Sequence, residues 1–574
     1  MKIGIDFGST YSAVSAYFPG TDNVKALKIG GTDSGTIPTV VSISRTGKVS
    51  FGSAAKSKIG NQFDRTFEAF KMLLIETDPQ VLTARGYDDT YTPRRVAKLF
   101  LESVLRPLLE NNRSTKDEIF ENVVFCVPEV WCNSVRTQDG RSILRDIIQK
   151  EVDVPVGSVR VVTEPEAASA YFAYHYEQET KKTFNGHLLL IDFGGGTLDL
   201  TLTEVKSYGQ GNMEISFRAG GGAGENHDGS IGAAGIAFMQ RVIALALKKA
   251  GIVDRISDID YTDKDFLTTV NQLEVQLIGS QMDIEDFYGG LAASYSEIKR
   301  IPDGEDEEFL CLAYKRDPLP ITFLDLYRAY TQVVEATVSE QVGLINRQVK
   351  ELLGFDPCTV SAGERDDFKI AQVGGFTSFC LVKMQLAEIY HLDPNDKVDL
   401  RVRNIDVENK ELAISLGAAL LAAGRVRQQR ISRFSIGLST APVDGKRQAR
   451  YAIHRLQELQ PETPYYILRN PDEKDEPKNR IKYGALYKNV TDFAINYTND
   501  PTEAVRLRLK PEMIQRLQER LPREGLLNCG FSVDRNDTLY FHALPTTFSN
   551  KCDYKKEEKI PLESFDNLFE PTEL

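Results

Sequence analysis

The chain has 574 residues. A single hydrophobic core stops growing near ~250–300 residues, so the chain must divide into domains, about four at roughly 150 residues each. Hydrophobic residues make up 41% and charged residues 26%, which fits a soluble globular protein and excludes a wholly disordered or collagen-like one. Acidic residues number 82 and basic ones 69, a net charge of −13. That argues against bulk electrostatic binding to nucleic acid or to an anionic membrane.

In chain order, the start Met1-Lys2-Ile3-Gly4-Ile5-Asp6 carries an acid where a signal peptide would be apolar. Residues 3–16 (IGIDFGSTYSAVSA) and 189–205 (LLIDFGGGTLDLTLTEV) share one pattern: an apolar run, Asp-Phe-Gly, small and hydroxyl residues, then an alternating run. Alternation on both sides of a glycine turn predicts two β-hairpins, each with an acid at the end of its first strand. Their separation is too long for a solenoid repeat and predicts two similar lobes. Between them, 120–128 and 158–163 read as strands. Ser134–Lys150 and 164–176 read as helices, the second with Pro165 in its first turn. Residues 231–250, broken by Gln240, Arg241 and paired lysines, read as an amphipathic helix and not as a membrane span. Residues 369–373 read as a strand followed by Gly374, Gly375 and a helix, and 411–424 as a helix of small residues. The alternation of strands and helices predicts an α/β layered fold with partly parallel sheets. From about residue 425 the character changes: RVRQQRISR reads as a linker, and short strand-like runs with one helix, Pro511–Leu521, form a β-rich module. Seven scattered cysteines without a CxxC pair predict neither a disulfide framework nor a zinc ribbon. The expected location is cytoplasmic.

Two loops carry the chemistry. In Asp6-Phe7-Gly8-Ser9-Thr10-Tyr11 a glycine turn lets backbone N–H groups approach an anion, and the acid can hold a hydrated Mg2+ on it. In Asp192-Phe193-Gly194-Gly195-Gly196-Thr197-Leu198-Asp199 three glycines in a strand pair weaken it unless something must come close to the backbone. Facing each other, two such loops could grip a polyphosphate from both sides. The glycine cluster at 220–224, with Asn226, His227 and Asp228, reads as a flexible loop.

The set IDFGSTYSAV, FCVPEVW, TEPEAASAY, IDFGGGTLDL, QVGGFTSF and LGAALLAAG, in this order and spacing, resembles the 70-kilodalton heat-shock (DnaK-type) chaperone family over about residues 1–424. The EPEAAS form is similar to its divergent members. That family belongs to the actin/sugar-kinase ATPase superfamily. The resemblance implies a two-lobed actin-like (ribonuclease H-like) ATPase region with ATP or ADP and Mg2+ in the cleft. Asp6 and Asp192 would sit at the hydrated metal. Gly8, Ser9, Thr10, Tyr11 and Gly194, Gly195, Gly196, Thr197 would wrap the phosphates. Lys71 would reach the γ-phosphate, and Glu164 and Asp199 would orient the attacking water. Lys299 and Arg300 would hold the adenosine, Gly374 and Gly375 would lie under the ribose, and Pro128 would belong to an interdomain relay.

The expected division is lobe one at 1–187, lobe two at 188–424, a linker at 425–433, a small β-rich C-terminal module at 434–550 and a charged tail at 551–574. Three departures stand out. Ser9 and Glu166 each replace a usual threonine, and the linker lacks the family's acidic, leucine-rich character. The expected activity is slow ATP hydrolysis gating the binding of an extended polypeptide, with a J-type co-chaperone and a nucleotide-exchange factor as implied partners. Two alternatives stay open: a nucleotide-gated regulator with a dedicated partner, and a small-molecule kinase of the same superfamily.

Overall fold

The computed structural model describes the chain apart from residues 30–34, 62, 77, 112–118, 133–139, 225–233, 293, 299–306, 360–364, 392–411, 440–448, 468–489, 499, 523–525, 535–537, 547–551, 565–567 and 570–574. It divides into two compact units, Met1–Val130 with Ile143–Gln428, and Trp131–Ser142 with Gln429–Leu574.

Two mixed sheets organise the first unit. In one, β1 (Lys2–Phe7) and β2 (Tyr11–Phe18) form the hairpin expected from the DFGST turn, with Asp6 opposite Ala13. β3 (Asn23–Ala26) pairs beyond β2, while β4 (Phe120–Val127) and β5 (Val156–Thr163) continue parallel to β1, giving the order β3-β2-β1-β4-β5. In the other, β6 (Gly186–Phe193) and β7 (Leu198–Gly209) form the second hairpin, with Asp192 opposite Asp199. β8 (Asn212–Ala223) follows, β9 (Phe368–Val373) lies parallel to β6, and β10 (Val426–Gln429) closes the edge in the order β9-β6-β7-β8-β10. Residues 426–429, read from sequence as part of a linker, therefore form a strand, with Val426 buried and Arg427 exposed; an exposed charge suits an edge strand that must not recruit another. β1 and β9 are buried along almost their whole length, the expected fate of strands covered on both faces.

Among the helices of the unit are the single turn α1 (Ser53–Lys56), α2 (Glu164–Thr180), α3 (Gly235–Lys249), α4 (Lys264–Gly279) and α5 (Ala413–Ala423). The Thr163 side chain accepts from the Glu166 backbone N–H, and Glu166 accepts from the Thr163 N–H at 3.1 Å, a capping box with Pro165 in the first turn. Glu166 thus owes its place to the helix start. The small residues of α5 have a steric cause. A Cβ on Gly417 would lie 1.7 Å from the Ala167 carbonyl oxygen of α2, and one on Gly4 would lie 2.2 Å from the Ala419 nitrogen. Sheet, α5 and α2 therefore meet backbone to backbone at these two glycines, and neither position has room for a side chain.

The second unit is antiparallel. Its strands are β11 (Ser435–Ser439), β12 (Ala449–Ile453), β13 (Tyr465–Tyr466), β14 (Asp492–Asn496), β15 (Val505–Arg508), β16 (Leu526–Val533), β17 (Thr538–Thr546) and β18 (Glu558–Ser564). They form two four-stranded sheets, β12-β11-β14-β15 and β13-β16-β17-β18, with helix α6 (Pro511–Arg520). Its core is its own: Phe493 packs edge-on against Phe531 at 5.0 Å, with Phe541 and Phe569 beside them. Among the described residues no helix is long and apolar enough to cross a membrane.

Candidate active site

The two hairpin turns touch. A Cβ on Gly195 would lie 2.2 Å from Thr10 Oγ1, and one on Gly196 would lie 2.9 Å from Ser9 Oγ. The hydroxyls of the first loop rest where Gly195 and Gly196 of the second loop have no side chains. Gly8 is required by its own turn, since a Cβ there would meet the Tyr11 carbonyl oxygen at 2.0 Å. The second loop is pinned from behind: Gly194 N–H bonds to the Thr197 carbonyl at 2.9 Å, and Ile236 N–H, in the first turn of α3, to the Gly195 carbonyl at 2.9 Å.

Beneath the loops lies a ring of buried charge. Asp6, Lys71, Glu164, Asp192 and Asp199 are all buried, Lys71 to 1% exposure. Asp6 and Asp192 reach the ring from the equivalent ends of β1 and β6. Glu164 opens α2, Asp199 opens β7, and Lys71 precedes the 3-10 turn Met72–Ile75. The Lys71 ammonium donates to Glu164. Burial works against the Lys71 charge, but the Glu164 and Asp6 carboxylates outweigh it and hold the lysine above its ordinary range. Among the described residues, Asp6, Glu164 and Asp192 all interact with this one ammonium. Burial, then Glu164, push Asp6 up to about 7, with Lys71 pulling the other way. Asp192 is raised by burial and by Glu164, Asp199 and Asp6. A site so short of positive charge suits a bound cation, because a metal stabilises carboxylates that burial otherwise disfavours.

Two further atoms point to a ligand. Asp192 Oδ2 and Thr10 Oγ1 are buried and find no hydrogen-bond partner among the described residues, an arrangement costly unless a bound group satisfies them. The described residues hold no group of three or more His, Cys, Asp or Glu placed to ligate a metal directly, so hard oxygens here suit a Mg2+ held through its water shell. Gly374, at φ +85°, stands against this ring: a Cβ there would lie 2.5 Å from Asp192 Oδ1. Gly375 is exposed, with nothing within 4 Å of where its Cβ would be. Thr197 is buried at the end of the second loop. Lys299 and Arg300 lie outside the described residues, as do Asn226, His227 and Asp228.

Three neighbours were given no role from the sequence. Cys126, on β4 opposite Asp6, is fully buried, and burial and Asp6 push its thiol upward. Lys56 Nζ lies 2.7 Å from Glu274 Oε2 and 3.2 Å from Tyr11 Oη, joining α1, α4 and the first loop. Glu68, three residues before Lys71, is pushed up to about 7, first by burial.

No family model matches the chain. It is similar to the chaperone protein DnaK of Thermosipho africanus, 23% identical over 423 residues, which is 73% of this chain and 58% of that protein. The DnaK of Thermotoga petrophila is 24% identical over 428 residues, 73% of this chain and 59% of that protein. The DnaK of Nitrosopumilus maritimus is 28% identical over 221 residues, 38% of this chain and 31% of that protein. The chain thus spans between about a third and three fifths of the length of these curated relatives. By this likeness the chain is a divergent relative of the DnaK-type heat-shock chaperones.

Proposed function

We propose that the chain is an ATP-binding, slowly ATP-hydrolysing chaperone-like protein, its nucleotide held in a cleft between an actin-like lobe at 1–187 and a second at 188–424. The observation that carries this reading is the contact of Ser9 and Thr10 with Gly196 and Gly195 above a buried ring of four carboxylates and one lysine. Phosphoryl transfer needs positioning and charge neutralisation more than covalent chemistry, and these residues offer both. Magnesium, when bound, supplies charge neutralisation, and Asp6 and Asp192 would hold it through its water shell. Backbone amides of Gly8–Tyr11 and Gly194–Thr197 would bind the phosphates, with the Thr10 and Thr197 hydroxyls as further donors. Lys71 would turn from Glu164 toward a γ-phosphate oxygen. Glu164 and Asp199 would then accept hydrogen bonds from the attacking water and hold it in line. Lys299 and Arg300 would hold the adenosine.

In this reading the β-rich module, 434–550, takes an extended polypeptide, by strand addition at a short sheet edge such as β13, and nucleotide state controls that binding. A second reading, a nucleotide-gated regulator with one dedicated partner, is favoured by the segment after residue 424. It is basic and polar, and 426–429 is a strand of the second sheet rather than an acidic, leucine-rich tether. Single-turnover Mg-ATP hydrolysis by the full-length chain, with and without a panel of unfolded peptides, separates the two. Acceleration by many peptides supports the chaperone. Hydrolysis indifferent to all of them, with one protein co-purifying in stoichiometric amount, supports the regulator. Absence of any turnover would end both hydrolytic readings.

A further inference from the structure

Beside the first loop lies a cavity of about 310 Å³, within the size range of small-ligand sites. Ser9 and Thr10 stand on its wall, yet Asp6, Lys71, Glu164, Asp192 and Asp199 do not line it. It lies beside the phosphate loops, with Ser9 and Thr10 on its wall, and away from those buried carboxylates. Much of its wall is apolar, with Val40, Leu73, Met239 and Val270 among the lining.

The polar groups converge on one carboxyl. Glu68 faces Lys56 of α1 and Glu274 of α4, and Asn271 of α4 hydrogen-bonds to it. Lys56 is already committed: its ammonium sits 2.7 Å from Glu274 and 3.2 Å from the Tyr11 hydroxyl. Two carboxylates therefore share one ammonium at this end of the cavity. The other charged groups on the wall are Asp64, which has Lys58 at 3.9 Å, Arg85 and the exposed Lys264. A second cation beside Glu68 would leave two carboxylates facing two cations, and a short hydrocarbon attached to it would cover apolar wall.

We propose that this cavity is a binding site for a small organic ammonium ligand, its charged head on Glu68 and its alkyl chain against the apolar wall. The proposal does not depend on ATP hydrolysis, since the hydrolytic residues lie outside the cavity.

The site makes a quantitative demand. Burial, helped by Glu274, brings Glu68 to about 7, so the ionised fraction rises from roughly a tenth at pH 6 to roughly nine tenths at pH 8. An alkylammonium stays charged throughout that range. Affinity for n-butylammonium should therefore increase about tenfold from pH 6 to pH 8. The test is titration calorimetry on the full-length, nucleotide-free chain with n-butylammonium chloride, and with n-butanol as the uncharged analogue. The expected result is saturable n-butylammonium binding with that pH dependence, much weaker and pH-independent binding of n-butanol, and a Glu68→Gln variant that binds both alike at either pH. No saturable n-butylammonium binding, equal affinity for the two probes, or unchanged n-butylammonium binding in Glu68→Gln would overturn the proposal. If Glu68→Gln does not fold, the pH series and the n-butanol comparison on the native chain decide it.

Discussion

At the scale of single residues, Lys71 is, among the described residues, the cation that answers the buried carboxylates Asp6, Glu164 and Asp192, and that fixes what its loss must do. Removing it leaves Glu164 buried without its partner, a change that costs about 3–5 kcal/mol when one half of a buried pair is deleted. The proposed role adds a second effect, loss of a preorganised positive donor at the transferring phosphoryl group, worth roughly 10²–10³ in rate. The Lys71→Ala chain should therefore melt earlier without nucleotide, still bind Mg-ATP, and hydrolyse it in single turnover roughly 10²–10³ times more slowly. Turnover at the native rate in a folded Lys71→Ala protein would remove the residue from the mechanism. Asp192 makes the complementary case. Its Oδ2 is buried without a partner among the described residues, so Asp192→Ala should relieve repulsion within the ring while removing a metal-holding oxygen. Apo stability should hold or rise, and Mg-ATP affinity, read by equilibrium titration with and without Mg2+, should fall. Affinity independent of Mg2+ in both proteins would count against Asp192 as a metal-holding group.

Elements explain why some of this was readable in the sequence and some was not. The hairpins were, because a glycine turn between alternating runs has few other solutions, and Asp6 and Asp192 follow from their place at the strand ends. α5 was legible as a helix, but its partners were not: nothing in AISLGAALLAA says which backbones it must approach. Lys56–Glu274 and the Glu68 cavity were hidden for the same reason, since they join segments far apart in sequence with no fixed spacing. The strand at 426–429 was missed because its polar composition is also that of a linker. Two glycines separate close packing from ligand approach. At Gly417 an added methyl would strike the Ala167 backbone oxygen at 1.7 Å, which cannot move without shifting α2. Gly417→Ala should cost about 3 kcal/mol, the upper end of the usual overpacking range, seen as a lowered midpoint in urea. At Gly195 the methyl meets the Thr10 Oγ1 at 2.2 Å, the end of a side chain that can rotate. Gly195→Ala should barely change the urea midpoint but weaken ATP binding by displacing Thr10. Equal stability losses in the two variants would refute this assignment of their roles.

At the scale of the whole molecule, the second unit carries its own aromatic core and a buried polar cluster that gives it a distinct pH response. His542, on β17, is buried; its Nε2 lies 2.7 Å from Ser532 Oγ and its Nδ1 2.5 Å from Glu557 Oε1, which also accepts from the Tyr466 hydroxyl at 2.6 Å. These contacts tie β13, β16, β17 and the approach to β18 together. Burial holds His542 below its ordinary value of 6.5, with Glu557 opposing and Lys559 adding to the shift. The sign follows from linkage: a histidine whose folded pKa is depressed takes up its proton more readily when unfolded, so its contribution is present above 6.5 and is lost as the pH falls from there toward the depressed folded value. Under the proposed function nucleotide would act elsewhere, since every residue proposed to hold it belongs to the first unit. Binding to a native state at a hundredfold excess over Kd stabilises it by ~2.7 kcal/mol. A thermal scan of the full-length chain should therefore resolve two transitions. Mg-ATP should raise one and leave the other nearly fixed, while lowering the pH from 7.5 toward 5.5 should move the second down through the His542 window. In His542→Gln that extra pH sensitivity should vanish, leaving the nucleotide-sensitive transition unchanged. A single transition shifted as a whole by both nucleotide and pH would mean that the two units unfold together, so that nucleotide energy reaches the β-rich unit directly.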